Sequence, residues 1–487
     1  MERLPHQKEV LEATKDMEYY ALLWEMRVGK TLPIIDTIVH NHKIGKIDSA
    51  LVIAPSGVHI NWSRQALKEH RPSDSVIEWA SGNANKVSFK KLLDNCMKDR
   101  TNLLWICMNV EALITDAGKS IVQRLIKDRK PFLVIDESDE LKNPRAKRSK
   151  FMMLHASKFP MRRIMTGTDA PLGPFDLWSQ FYILSPSILG PRFVPFKQRY
   201  GIFKTVRYGG PSFQELVSYK DLDHLSARIK PFSSRLTQKD TGIDIPMDPQ
   251  VRYFIMSDKQ QKAYDQMLDD MMVELDNGNI VTAQMALVWL LRLQQISRGF
   301  LPDGQGGTVE IGSSPSTDSL LGLLKQISGK TIIWCRFKND VDAVCKSLGE
   351  AGRKFVRHDG QLSKEERQAS LEIFRNDQSV TEFVGTPATG GIGIDLSVAG
   401  AMVFYSHSYD FRERVQAIAR MQGINQKMKN LLLVDMLAYG SKDVEIISNL
   451  ARKAQMMDQI NGDTLRQLEN GVVGMETKDL LSMLRSK

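Results

Sequence analysis

Cysteine is scarce in this chain. The 487 residues hold four, Cys96, Cys107, Cys335 and Cys345, and no two stand at Cys-x-x-Cys spacing. That excludes a disulfide-built scaffold and a cysteine metal ribbon, and leaves free thiols in a reducing compartment as the expectation. Long apolar runs are also missing: no stretch reaches the ~18 residues that span a bilayer. The opening Met1-Glu2-Arg3-Leu4-Pro5-His6 carries no basic-then-apolar leader. The expected location is therefore cytoplasmic, with no membrane partner. His358 and His407 have no companion ligands at metal spacing, so both read as ordinary hydrogen-bonding residues.

What is present is ordinary in amount and uneven in sign. Hydrophobic residues make up 42% and charged residues 25%, as in a globular protein with packed cores. The length suits about two to four domains. Net charge is +9, a balance that favours polyanions, because each Lys or Arg set on a phosphate releases counterions.

The chemistry concentrates in two segments. Gly29-Lys30-Thr31 follows an apolar run, and Val134-Ile135-Asp136-Glu137 closes another far downstream. A glycine turn lets backbone wrap a phosphate chain, a Lys ammonium sits against the outer phosphates, and a Thr hydroxyl holds magnesium. Asp136 then reaches the metal through water, and Glu137 polarises the attacking water. The usual phosphate loop has a further Gly five positions before the Gly-Lys pair, where this chain has Trp24.

Strand-like runs alternate with helical patterns. Ala50–Ala54, Asn102–Met108, Phe132–Ile135 and Arg163–Met165 each end in a polar or Gly-bearing segment. That alternation predicts a parallel sheet flanked by helices, with functional loops at the strands' carboxyl ends. It resumes at Lys330–Trp334, Lys354–Arg357, Glu382–Val384 and Ala401–Tyr405. Between the two sets, Leu216–Ile229 reads as an amphipathic helix, Lys259–Arg298 as a long helical stretch with methionine core filler, and Pro302–Thr317 as a flexible connection. The expected division is an amino-terminal lobe over 1–255 with a helical insertion near 186–232, then a helical segment and linker over 256–318. A second lobe follows over 319–445, and helices over 446–487.

These motifs, in this order, resemble those of the Swi/Snf-like family of superfamily-two helicases, from about Leu4 to Gln426. The resemblance implies an α/β fold of two tandem RecA-like lobes and an ATP hydrolase that uses ATP and Mg2+ and moves along double-stranded DNA. Leu4-Pro5-His6-Gln7 is similar to the leading motif, whose Gln reads the adenine edge. Glu25-Met26-Arg27-Val28-Gly29-Lys30-Thr31 resembles the phosphate loop, which in this family lacks the early Gly. Ala54-Pro55-Ser56 with Asn61-Trp62 resembles a DNA-strand contact, and Thr166-Gly167-Thr168 the coupling motif. Asp136-Glu137-Ser138-Asp139, with Leu141-Lys142-Asn143-Pro144, resembles the acidic motif and its extension. Arg235, Lys239-Asp240 and Pro246 follow the family's spacing at the end of the first lobe.

In the second lobe, His358-Asp359-Gly360, with Arg367 and Phe374, resembles a DNA-facing segment. Thr389 and Gly390 join Gly360, Asn61 and Trp62 as candidate DNA contacts. Gly393 and Asp395 of the Gly-rich motif are implied to sit against the nucleotide, and Gln416 and Arg420 open the arginine motif that Gln426 closes. Lys30, Asp136, Glu137 and Arg420 carry the implied catalysis, and Gln416 joins Thr166, Gly167 and Thr168 in coupling.

Three positions depart from the family. Asp139 replaces His or Gln, Asp395 replaces Asn, and Gly423 stands where a second arginine belongs, with Asn425 two residues on. Arg412 and Arg414 are candidate substitutes. A strand-separating or branch-migrating helicase is the runner-up to the translocase, and the departures keep an ATP-gated DNA-binding protein with little or no hydrolysis open as a further reading. Compactness suggests a bacterial or viral accessory motor, monomeric, with replication or recombination proteins left open as partners.

Overall fold

The computed structural model describes residues 3–167, 173–206, 213–242, 245–276, 283–303, 307–312, 315–390, 394–408, 410–422 and 426–444. The chain divides into two compact units, one up to Asp244 and the other from Ile245.

In the first unit the apolar runs become strands β1 (Tyr19–Trp24), β2 (Ser49–Ala54), β3 (Ser75–Glu78), β4 (Leu104–Asn109), β5 (Pro131–Asp136) and β6 (Met161–Met165). Every residue of β2 and β5 is buried, as befits central strands covered on both faces. The stretch near 186–232 is not the all-helical insertion expected. A helix over Phe193–Tyr200 leads into an antiparallel hairpin, β7 (Gly201–Val206) and β8 (Phe213–Tyr219). The helix expected over Leu216–Ile229 covers only Leu222–Ile229. Leu216, Ser218 and Tyr219 instead pair across the hairpin, and Asp221, with φ +54°, turns the chain into the helix. Asp tolerates that left-handed conformation better than most residues.

The last strand of this unit, β9 (Ser233–Leu236), lies beside β1. The sheet order is β3-β4-β2-β5-β6-β1-β9, parallel throughout. This order decides the site. β5, β6 and β1 are neighbours, so the loops after Asp136, Met165 and Trp24 emerge side by side. Trp24, Trp62, Trp105, Val134 and Met165 share the core packed against this sheet.

In the second unit β10 (Met247–Phe254) runs parallel to the final strand, in register from Met247↔Leu431 to Phe254↔Ala438. The expected lobe boundary at 255 therefore falls too late: β10 is hydrogen-bonded into the second sheet. Helices Asp258–Asp276 and Ala283–Ser297 bury Met256, Tyr264, Met271, Leu290 and Ile296 in a core of their own. The expected flexible connection over 302–317 contains order as well. β11 (Phe300–Pro302) pairs antiparallel with β12 (Thr308–Glu310), and a helix begins at Pro315.

β13 (Thr331–Trp334), β14 (Phe355–His358), β15 (Glu382–Gly385), β16 (Ala401–Phe404) and β17 (Leu431–Ala438) complete a parallel sheet in the order β10-β17-β16-β13-β15-β14. The helices expected over 446–487 lie outside the described residues. Among the described residues no helix is long and apolar enough to cross a membrane. All four cysteines are free thiols, with Cys107 and Cys335 buried.

Candidate nucleotide site

The site is built on the loop after β1. Trp24 fills the core where a phosphate loop usually has glycine, and its Nε1 donates to Ser234 Oγ at 2.9 Å. The Trp24 and Glu25 carbonyls accept from Lys30 Nζ at 2.8 and 3.2 Å, which holds the ammonium inside the loop. Gly29 has φ +83°, a left-handed turn that glycine adopts freely. Thr31 then begins the helix Thr31–Lys43, whose amino-terminal amides and dipole favour an anion. Arg27, two residues earlier than Gly29, has φ +67°.

Gln7 lies against the glycine turn. It is 3% exposed, its Nε2 donates to Gly29 O at 2.9 Å, and its Oε1 accepts from Leu4 N at 2.9 Å. The carbonyl of the glycine turn and the open amide at the helix start satisfy both ends of the side chain.

β5 delivers the carboxylates. Asp136 Oδ1 accepts from Glu137 N at 3.0 Å and Oδ2 from Trp62 Nε1 at 2.8 Å. Burial and the adjacent Glu137 charge push the Asp136 carboxyl up to about 6, against the pull of Trp62 and Lys30. Glu137 has φ +50°, a strained conformation for a non-glycine residue. Gly167, after β6, closes the cluster. Its N–H points at Glu137 Oε2 at 3.5 Å, and a Cβ there would stand 2.6 Å from Met26 Cγ and 3.3 Å from Lys30 Nζ. Lys30, Glu137 and Gly167 thus meet, as the order of β1, β5 and β6 requires.

The donor set fits a hard divalent cation. Two adjacent carboxylates repel each other, and a cation would relieve what raises Asp136. Asp136 and the Thr31 hydroxyl are the residues that would hold it.

Trp62 does not face a nucleic acid. It is 2% exposed, and with its one N–H spent on Asp136 it belongs to the core. It begins a single π turn over Trp62–Ala66, while Asn61 beside it is half-buried. Asp139 is buried, and Thr166 N donates to Leu22 O at 3.2 Å. Lys142 reaches Asp176 at 3.8 Å, joining the acidic motif's extension to the segment after the coupling motif. Thr168 lies outside the described residues.

Sequence reasoning missed the clamp on the loop's far side. Glu25 Oε2 accepts from Gln238 N at 2.8 Å, and Gln238 Nε2 donates to Met26 O at 3.0 Å. The only available signal was its place between Arg235 and Lys239.

In the second unit Gly360 and Thr389 come together: a Cβ on Gly360 would stand 3.8 Å from Thr389 Oγ1. They follow the neighbouring strands β14 and β15, and Gly360 is exposed. Gly390 ends the short helix Pro387–Gly390. Asp395 Oδ1 accepts from Ser397 N at 3.1 Å, capping a turn. Gln416 lies in the helix Phe411–Ala419. Arg420, just beyond, is 8% exposed, and its carbonyl accepts from Leu396 N at 3.0 Å. Arg414 donates to both Asp435 oxygens at 2.8 Å and lies over Phe404, so its guanidinium is committed. Gly393, Gly423 and Asn425 lie outside the described residues.

A family model for the SNF2-related domain matches residues 8–299, more than half of the chain. The chain belongs to the SNF2-related family. A helicase conserved C-terminal domain matches residues 316–423. Among SNF2-type relatives, an uncharacterized ATP-dependent helicase of Mycoplasma pneumoniae is 22% identical over 442 residues, covering 89% of this chain and 39% of that protein. The human SWI/SNF-related matrix-associated actin-dependent regulator of chromatin subfamily A member 1 is 23% identical over 476 residues, covering 95% and 43%. The chain thus spans about two-fifths of the length of these relatives. Among solved structures, the Sulfolobus solfataricus SWI2/SNF2 ATPase core in complex with dsDNA is similar, with TM-score 0.42 and 22% identity over 100% of this chain and 98% of that one.

Proposed function

We propose that the protein is a DNA-dependent ATPase that translocates on duplex DNA. The observation that carries this reading is the meeting of Lys30, Glu137 and Gly167 beside buried Asp136. Lys30 binds the outer phosphates of ATP, and Glu137 orients and deprotonates the attacking water. Thr31 and Asp136 would hold a magnesium ion, which would supply positive charge against the phosphates. Gln7 sets the loop through Gly29. Gly167 reports the state of the loop to the segment that follows β6, in the coupling role assigned to Thr166, Gly167, Thr168 and Gln416. Arg420, Gly393 and Asp395 are the second unit's candidate nucleotide-binding residues. Asn61, Gly360, Thr389 and Gly390 grip the DNA backbone, so binding is tolerant of sequence and sensitive to salt.

The antiparallel hairpin Gly201–Tyr219 favours a second reading, in which strands are separated or branches migrated. Steady-state ATP turnover against single-stranded, duplex and branched DNA, beside triplex-displacement and fork-unwinding assays, tests both. Turnover stimulated by duplex with triplex displacement supports the translocase, and stimulation only by forks supports the second reading. ATP binding without DNA-stimulated turnover leaves the ATP-gated binder.

A further inference from the structure

Charge is concentrated away from the ATP-site loops. Residues 186–232 carry eight Lys and Arg against three Asp and Glu, an excess of five in a chain whose total is +9. Within this insertion the helices Phe193–Tyr200 and Leu222–Ile229 flank a cleft of 310 Å³. Arg192, Arg199, Arg228, His224 and Tyr200 line it, and none of its lining residues is Asp or Glu. The three arginines and His224 are exposed.

The cleft is organised rather than a loose basic surface. Arg228 donates through Nε to Ile188 O at 2.8 Å and through Nη2 to Ser187 O at 2.7 Å, which fixes the plane of its guanidinium. Arg199 packs its guanidinium 5.7 Å from the Tyr200 ring. Buried Tyr200 shares a hydrogen bond of 2.8 Å with His224 Nδ1. Whichever of these two donates, the pair keeps one further N–H or O–H for an anion. Burial raises the Tyr200 phenol against the pull of Arg199 and Arg228, so both guanidiniums lie in its field, as does the opposing charge of Asp221. Guanidinium forks suit phosphate oxygens. The aromatic faces here are spent on packing: Phe196 and Tyr200 are buried, with ring centroids 4.9 Å apart. Such a cleft can grip a backbone but offers little for a base to stack on.

We propose that this cleft binds the phosphodiester backbone of nucleic acid, as a contact separate from the ATP-site loops and from Gly360 and Thr389. The inference rests on the DNA-translocase reading and adds to it a second hold on the DNA. An acidic protein segment is the competing ligand. The hold is sequence-blind, and each guanidinium it sets on a phosphate adds to the salt dependence.

The test compares the full chain with R192A/R199A and R192K/R199K, after thermal unfolding has confirmed equal folding. Affinity for duplex and for single-stranded DNA of equal length is measured across a salt series without nucleotide, with polyglutamate as a third ligand. The alanine pair should weaken DNA binding and reduce the log–log salt slope by about 2. The reduction should be nearer ~1.4 if the single strand is the form held. The lysine pair should keep most of the slope. Equal affinity and slope in wild type and the alanine pair overturns the cleft but leaves the translocase reading standing. Equal loss in the lysine and alanine pairs also overturns it, since charge would not be the cause. Loss of polyglutamate binding with DNA binding intact assigns the cleft to an acidic protein instead. A wild type that binds no DNA removes both readings.

Discussion

The indole N–H of Trp62 donates to Oδ2 of Asp136 at 2.8 Å, deep in the first unit. A residue whose neighbours in sequence point to DNA is thus a support for the acidic motif. Trp62→Phe should therefore leave DNA affinity close to wild type while costing about 2 kcal/mol of stability at neutral pH, the usual scale for a hydrogen bond to a charged group. Chemical denaturation and a DNA-binding isotherm check it. A large loss of DNA affinity at unchanged stability would return Trp62 to the DNA surface.

The same carboxyl makes stability depend on pH. Its folded value, about 6, lies above the unfolded 3.8, because burial and Glu137 disfavour the charge. The native state therefore holds the proton more readily than the unfolded chain. The corresponding stability is complete below the unfolded value and is lost as pH rises through about 6. In chelator, Trp62→Phe should extend that loss to higher pH, since the bond that favours the anion is gone. Denaturant midpoints taken across this range in both proteins measure it, and superimposable profiles would contradict the assignment.

Glu137 and Lys30 should separate chemistry from binding. Glu137→Gln keeps the shape of the side chain and removes its basicity, so ATP binding should persist while turnover falls about 10³-fold. Lys30→Ala should weaken ATP binding itself, because the loop's own carbonyls hold that ammonium in place for the outer phosphates. Equilibrium nucleotide binding and single-turnover hydrolysis distinguish the two. Turnover retained in Glu137→Gln would assign the water to another residue.

Arg27 offers a test of backbone strain. Its φ of +67° puts an L side chain in the left-handed region, which costs about 1–2 kcal/mol relative to the right-handed one. Glycine removes that cost and adds some unfolded-state entropy, so Arg27→Gly should stabilise the protein by up to about 1 kcal/mol. A thermal or denaturant midpoint reads this, and destabilisation would mean that the guanidinium contributes more than the strain takes away.

Much of the site was legible because its chemistry is local in sequence. Gly29-Lys30-Thr31 and Asp136-Glu137 each sit at the end of a strand visible as an apolar run, and the parallel sheet then brings them together. What escaped depended on pairing across long separations. Nothing in Met247–Phe254 reveals that its partner is Leu431–Ala438, so the lobe boundary expected from sequence falls too late. The hairpin's second strand was hidden because Leu216, Val217 and Leu222 suit a helix as well as a strand. Trp62 and Gln7 carry motif identity, but only the fold shows that one meets Asp136 and the other Gly29. Gln238 offers only its place between Arg235 and Lys239.

The arginine motif gives the last prediction. Gly423 removes one of the two arginines expected in the family, and Arg414 cannot serve in its place while both of its terminal nitrogens hold Asp435. Arg420 is then the motif's remaining arginine, and Arg420→Ala should lower DNA-stimulated turnover by about 10³-fold, the scale of a lost arginine finger. Arg414→Ala should act differently. Its partner Asp435 is buried, so stranding that carboxylate should cost about 3 kcal/mol of stability. Gly423→Arg should raise turnover at least about tenfold if the missing guanidinium limits the rate. Turnover of the three variants at saturating ATP and duplex DNA, beside their unfolding midpoints, separates the roles. A full rate in Arg420→Ala with a collapsed rate in a stably folded Arg414→Ala would exchange the two assignments.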